Sequence, residues 1–590
     1  MRRPLTLLAA LLVLAVPAAL GALPAAASAS DCSSSAIGLS PGQAAPLNAG
    51  QLACAAYDDV PPPAHRLTYL KALAIASRVP SMKKILATKG NYGYAFIKGP
   101  NQWQVSFYTP KGVEVGQVII DDPTEKVVQH WTGFQVAWTM ARGYPGAFGQ
   151  HVNALYVWIP LCVLFAVPFV RWRRPFSLQN LDIAMLLFLS VSLAFFNHAN
   201  LGMSVPLTYP TLVYLLVRML ALAGVRLPGR APREAPPRPL RLSVPASWLA
   251  VATIFLLGFR VGLNVTDSNV IDVGYAGVIG GSKIVHDKPL YGNWPSTNQH
   301  GDTYGPVNYL SYVPFVAALG YSGRWDSLPA AHAASIFFDL LSVLLIFLLG
   351  RRVRGPTLGI ALAYAWVAYP FTLFSLESNT NDALVGVLVL AALYVASSPP
   401  GRGIFTALGA LMKFAPLWLV PVMATHGLRE RPRRGRVLGL VGFAVAFVVA
   451  AGLVMIPAVL HDTLHEIYER TIAFQDDRGS PFSLYGLYAH LTGHETPFWS
   501  TLQRVVQVAG VLFAIALAFL PRRPGITALA ACSAAIIIAV ELGLTHWFYL
   551  YVPWFFGAVM LALLGRFSEP SSAADEPAAA AAQSRPLVVA

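Results

Sequence analysis

The sequence predicts an all-α polytopic membrane protein, a helical bundle of about eleven spans plus re-entrant or interfacial helices, with a small N-terminal extracytoplasmic α+β domain. Three observations predict it. Hydrophobic residues make up 55% of the 590, and mean hydropathy is +0.55. Apolar runs near the length that crosses ~30 Å of hydrocarbon recur along the chain, and backbone in lipid must satisfy its own hydrogen bonds as helix. The net charge is +14, and basic residues cluster in short connections between those runs, such as Arg171–Arg174, Arg226–Arg241, Arg351–Arg354, Arg429–Arg436 and Arg522–Arg523. That placement follows the positive-inside rule and excludes a nucleic-acid patch.

The elements follow in chain order. Arg2 and Arg3 precede an apolar run from Leu5 to Leu20, then small residues with Ala27-Ser28-Ala29 as a cleavage site. Residues 1–30 therefore read as a signal peptide, or else as an uncleaved anchor helix. Either places the next segment outside, where Cys32 and Cys54 have the redox environment for a disulfide. Cys162 and Cys532 fall within spans and read as small packing residues. Residues 31–150 form the outer domain. Its first part, 31–60, is rich in Ala, Ser, Gly and Pro and reads as loosely structured. Residues 64–90 predict a helix broken near Pro80. Strand-like runs follow at Tyr92–Ile97, Gln102–Tyr108, Val113–Ile120 and Lys126–Trp131, separated by Gly/Pro turns. The stretch from Gln104 through Gly116–Asp121 to Val128 weakly resembles PepSY-like domains; an unrelated accessory domain fits it equally.

Spans are predicted near 154–171, 180–198, 205–224, 246–263, 331–349, 357–376, 382–397, 437–459, 501–520, 525–543 and 547–565. The first three make a membrane module, 151–225. A basic, Pro-rich cytoplasmic linker, 226–243, separates it from a larger core, 244–566. An Ala-rich cytoplasmic tail, 567–590, reads as disordered. Two segments break the alternation of sides. If residues 305–320 spanned, Arg351, Arg352 and Arg354 would lie outside, so that segment reads as a helix at the outer interface or dipping into the bundle. Residues 403–425 have inside charges, Arg402 and Arg429, at both ends. They read as a hairpin of two short helices within the membrane, with Lys413 and Pro416 at the break.

Candidate chemistry gathers in the loop Asn264–Thr303, which holds Asp267, Asp272, Asp287 and Asp302 in a chain only 12% charged. An outer-loop carboxylate is suited to general-base work on substrates whose reactive heads sit at the membrane surface. Asp272 is the candidate base, or on the structural reading a helix cap. Charges within or beside spans are costly and mark function more often than not. Arg260 and Lys413 are such charges; snorkelling is their structural alternative. Arg470 and Arg478 break the positive-inside pattern, with pairing to Asp476 and Asp477 as the alternative. Tyr275, Tyr304, Tyr485 and Trp547 could stack on a sugar or belong to the interfacial aromatic belt. His546 reads as structural.

These pieces occur in a recognisable order. Asp272-Val273-Gly274-Tyr275 is followed by Lys288-Pro289-Leu290-Tyr291-Gly292 and Thr303-Tyr304-Gly305-Pro306. Asn379-Thr380-Asn381-Asp382, Lys413-Phe414-Ala415-Pro416 and Ser480–Gly486 come later. Together they resemble the GT-C superfamily of membrane glycosyltransferases, specifically the glycosyltransferase 87 family of polyprenol-phosphate-dependent mannosyltransferases, over roughly 246–565. The resemblance implies a GT-C-like bundle that transfers a hexose, mannose first, from a polyprenyl-phosphate donor to a glycan or lipid acceptor at the outer face. It implies Asp272 as base. The site residues expected to touch substrate are Arg260, Asp267, Tyr275, Asp302, Tyr304, Lys413, Arg470 and Arg478. Tyr304-Gly305-Pro306 departs from the family's aromatic-Pro-Pro motif, which weakens the role given to Tyr304. No cofactor is certain. The loop carboxylates are donors for a divalent Mg or Mn ion, without a recognisable site spacing. The rival functions are a membrane-anchored sensor or scaffold with a ligand-binding outer domain, and a transporter or flippase of lipid-linked sugars.

Overall fold

The structure is a computed structural model that describes residues 44–46 and 52–567, apart from 145, 227–238, 326, 429 and 521. The expected signal peptide, most of the linker, the tail, Cys32 and Arg429 lie outside the described residues. The N-terminal domain is an antiparallel meander of six strands in sequence order: β1 (Ala44–Pro46), β2 (Ala53–Ala55), β3 (Tyr92–Lys98), β4 (Gln102–Tyr108), β5 (Glu114–Asp121) and β6 (Val127–Thr132). Side chains alternate across a strand, so Trp103, Val105 and Phe107 share one face with Val118 and Ile120. On that face pack α1 (Tyr69–Ser77) and α2 (Pro80–Leu86), through Leu67, Ala72, Ala76 and Met82. Thr68 caps α1 by accepting the Lys71 N–H (3.1 Å), and Pro80 opens α2 where its missing N–H has no helical partner to lose. The helix break at Pro80 and the four main strands lie where the sequence places them. The expected looseness of 31–60 is corrected by β1 and β2. These small-residue strands carry no periodic apolar signal; what orders them is the open edge of β3, which pairs Ala53 with Ile97 and Cys54 with Phe96. Cys54 is buried and disulfide-bonded, while Cys162 and Cys532 are free.

A short α3 (Phe134–Ala137) leads to the bundle, which begins with α4 (Leu155–Ala166), α5 (Leu178–Phe196), α6 (Leu201–Ala223) and α7 (Ala246–Asp267). The acidic loop folds as α8 (Asp272–Val285) and is followed by α9 (Pro306–Leu319). Then come α10 (Pro329–Arg354), α11 (Pro356–Ala368), α12 (Pro370–Glu377), α13 (Asp382–Tyr394), α14 (Pro399–Lys413) and α15 (Val420–Thr425). The rest are α16 (Arg433–Val459), α17 (Leu464–Tyr468), α18 (Phe474–Asp477), α19 (Leu484–Thr492), α20 (Pro497–Phe519), α21 (Ile526–Leu542) and α22 (Val552–Leu564).

Every expected span is helical, but six of them (α5, α6, α7, α10, α16 and α20) are long and apolar enough to cross a membrane alone. A seventh is α11 with α12, bent by 57° between them. The bend has a local cause: Pro370 supplies no N–H, and Tyr369 before it is forced into the extended region (ψ 124°). The other expected spans are shorter apolar helices. Among them α13, α21 and α22 are apolar and buried on nearly every side, as helices at the centre of a bundle must be. By contrast only 17% of the apolar window of α16 is buried, which assigns that helix to the lipid-facing rim.

The two exceptional segments behave as the charges predict. The hairpin 399–425 returns on itself. Arg402, near its start, donates to the carbonyls of Met423 (2.7 Å) and His426 (3.0 Å) at its end. Phe414, at the turn, adopts φ +50°. Its turn therefore reaches the Asp272 end of the bundle, and both its termini lie at the basic end. Helix α9 lies across the Asp272 end, since both its flanks are tied there. The Gly305 N–H donates to Met412 O at the hairpin turn (3.3 Å), and the Tyr321 hydroxyl meets that of Tyr275 (3.0 Å).

Candidate active site

Asp272 stands in the first turn of α8, where the helix dipole favours a carboxylate. Helix α8 is seated deeply because its glycines allow it. A Cβ at Gly274 would come within 2.0 Å of Asn379 O, so only glycine admits this approach. The same holds at Gly305, where a Cβ would lie 2.0 Å from Leu411 O. These two contacts pull the start of α8, the start of α9 and the hairpin turn around one cavity.

Four of the expected residues converge there: Asp272, Tyr304, Lys413 and Arg478. Asp272 is exposed at its surface yet surrounded by protein, the situation of a group set in a recess. Removal from bulk water pushes its carboxyl above the usual carboxylate range. Arg478, the Val273 N–H and Lys413 pull it partly back. Lys413 Nζ donates to Asp382 (2.6 Å) and lies over the rings of Tyr304 (5.2 Å), Trp554 (5.5 Å) and Tyr551 (5.6 Å). Such a three-ring box with a carboxylate at its base compensates a cation for the water it has lost on burial. Asp382 also accepts the Trp554 indole N–H (2.8 Å) and the Thr380 hydroxyl. His546, bonded to Ser480 Oγ (2.9 Å), is held well below the usual imidazole range by burial and by the facing cations Arg478 and Lys413. At neutral pH it is an uncharged wall of the cavity.

The other expected residues are elsewhere. Arg260 is fully buried and forks onto Asp339 (2.6 and 3.0 Å), with further bonds to Val367 O and Thr372 Oγ1. Its guanidinium is committed to holding α7, α10, α11 and α12 together, so it has no donor left for the expected substrate contact. Asp267 bonds the His151 ring and backbone N–H, tying α7 to the neck of the N-terminal domain. Tyr275 packs on Trp325 (4.8 Å). Asp302 accepts the Gly292 N–H (2.9 Å) and faces Arg470 Nη1 at 3.8 Å, a tether between two loops at the Asp272 end of the bundle. The side chains of Asp476 and Asp477, the alternative partners of Arg478, lie outside the described residues. The loop carboxylates do not converge on a shared ion position: Asp287 pairs with His461 (2.7 Å), and Asp267, Asp272 and Asp302 face three different places. Among the described residues no three His, Cys, Asp or Glu side chains gather as a metal site.

Sequence reasoning missed Asp382, Tyr551, Trp554 and the cavity position of His546. A signal existed for Asp382, the polar run Asn379–Asp382 at the head of an apolar helix. For the two aromatics there was none, because aromatics at the ends of spans are the norm.

The model of glycosyltransferase family 87 matches residues 303–545. Over these residues the chain is similar to the membrane glycosyltransferases of family 87. The match takes in Tyr304, Asp382, Lys413 and Arg478. It begins after Asp272 and leaves the N-terminal domain uncovered. No curated protein matches the chain.

Proposed function

We propose that this glycosyltransferase moves a hexose, mannose first, from a polyprenyl phosphate to a hydroxyl of a glycan or lipid acceptor, with Asp272 as general base. One observation carries the reading: Asp272, a carboxylate removed from bulk water, lies within electrostatic reach of two cations, Arg478 and the Lys413 that sits over Tyr304 at 5.2 Å. Transfer by direct displacement needs both. The acceptor oxygen forms its bond to the anomeric carbon as the bond from that carbon to the phosphate oxygen breaks. The acceptor proton passes to Asp272, and the departing phosphate carries the negative charge away. Arg478, which closes no ion pair among the described residues, is the group suited to that charge. Lys413 is already neutralised by Asp382. It contributes a fixed dipole and a rigid wall with Tyr304 and Tyr551, the rings on which a sugar face can stack. Inversion at the anomeric carbon follows from single displacement.

The Arg clusters supply the orientation. Arg352 bonds Ser397 Oγ (3.0 Å), Arg431 bonds Ser397 O (3.4 Å) and Arg354 bonds Gly565 O (3.3 Å), which gathers them at one end of the bundle. By the positive-inside rule that end is cytoplasmic, and the cavity and the N-terminal domain face outward.

The test is label transfer from radiolabelled polyprenyl-phosphate-mannose in membranes, comparing wild type with Asp272→Asn at matched expression. A loss of roughly 10²–10⁴-fold is expected for a missing general base. Equal transfer by both proteins would remove Asp272 from the mechanism.

A further inference from the structure

The N-terminal domain lies outside the family match, yet it meets the core through a cluster of aromatic contacts, among them Phe134 against His490 (5.2 Å). Phe134 opens α3 and Trp138 follows its last residue, the two rings stacked on each other at 5.7 Å. Trp138 meets the edge of Phe482 at 4.9 Å, and Phe134 meets it at 6.4 Å. The pair is rigid on its own side. Arg142 donates to the carbonyls of Gln135 (2.7 Å) and Val136 (3.0 Å) and lies over Trp131 of β6 (5.4 Å), which fixes α3 to the sheet.

Phe482 is 3% exposed and is held on its other side by Phe196 (5.3 Å) and by His546 (5.2 Å). Its N–H bonds Ser480 Oγ (3.3 Å), and Ser480 Oγ bonds His546 (2.9 Å). Two residues before Ser480 stands Arg478, the first cation facing Asp272. Arg478 has an extended backbone after the short α18 and no ion pair among the described residues to fix it. What sets its place is the anchor at Ser480 and Phe482.

We propose that Phe134 and Trp138 are positioning residues: the N-terminal domain clamps Phe482 and thereby seats Arg478 opposite Asp272. The outer domain is then a wall of the active site and not a separate appendage. The assignment of Arg478 to the leaving phosphate rests on the function proposed above; the clamp itself does not.

Two measurements on the full chain in nanodiscs decide it. The first is hydrogen exchange over residues 474–490. Trp138→Ala is expected to speed exchange there, Phe134→Ala to do so less, and Trp138→Phe to stay near wild type. The second is a double-mutant cycle on transfer from polyprenyl-phosphate-mannose. Trp138→Ala is expected to lower kcat/KM by about tenfold alone and by almost nothing in an Arg478→Ala background, because both changes remove the same group from its place. Trp138→Phe is expected to restore most of the rate. His151→Ala, which breaks the separate tie to Asp267, is expected to add to Arg478→Ala in full. Unchanged exchange over 474–490 overturns the clamp, and so does full additivity of Trp138→Ala with Arg478→Ala. If wild type transfers nothing, the proposed function fails, and the exchange measurement alone still decides the clamp.

Discussion

Two buried ion pairs in this bundle are built to nearly the same plan and do different things. In one, Asp339 accepts from Arg260 and from the Trp366 indole (2.8 Å). In the other, Asp382 accepts from Lys413 and from the Trp554 indole (2.8 Å). Burial does not separate them: the side chains are 0% and 3% exposed in the first pair, 7% and 1% in the second. The difference lies in what surrounds the cation. The guanidinium of Arg260 spends its donors on Asp339, Val367 O and Thr372, so nothing remains for a ligand. The ammonium of Lys413 has one carboxylate and three ring faces, and the space beyond it is the cavity that holds Asp272. A charge in a membrane segment thus signals importance, and the unspent bonding capacity around it says of which kind.

The sharpest way to break the comparison is to remove each cation. Arg260→Met leaves Asp339 charged, buried and unpaired, which costs roughly 3–5 kcal/mol. We expect loss of folded protein in detergent, read by thermal unfolding, and substantial recovery when Asp339→Leu is added. Transfer per folded molecule should stay near wild type. If instead Arg260→Met folds normally and loses transfer, the pair is part of the site and the distinction collapses.

Lys413→Met should give the opposite pattern. Asp382 keeps the Trp554 and Thr380 donors and can draw on cavity water, so thermal stability should fall less than for Arg260→Met. Transfer should drop by about 10²-fold as the wall around the sugar loses its centre. Equal losses of stability in the two variants would mean that the cavity is not wet.

The smallest expected effect is a shift in pH dependence. With Asp272 as the proposed base the rate needs it ionised, and its carboxyl lies above the usual range, so activity is expected to fall as pH drops through that raised value. Arg478 favours the ionised form. Its removal raises the carboxyl further, and the acid limb of kcat/KM should move to higher pH in Arg478→Ala. A limb that stays in place would mean that Arg478 does not face the base.

Much of this was legible before the fold. Hydropathy and charge are recorded along the chain itself, so the helices of the bundle and the hairpin that turns at Phe414 follow from composition and charge placement alone. The strands Tyr92–Lys98 to Val127–Thr132 follow from alternation and Gly/Pro turns in the same way. The sequence also singled out Asp272, Lys413 and Arg478, because ionisable residues beside apolar runs are costly wherever they occur. Only the tertiary structure decided which of those charges share a space. Asp382 and Trp554 are 172 residues apart and bond directly, whereas Arg260 stands only 12 residues before Asp272 and lies in a different constellation. No periodicity encodes such pairings. They depend on how closely helices approach, which a glycine against a carbonyl at Gly274 and at Gly305 permits, and on which face of each helix the packing turns inward.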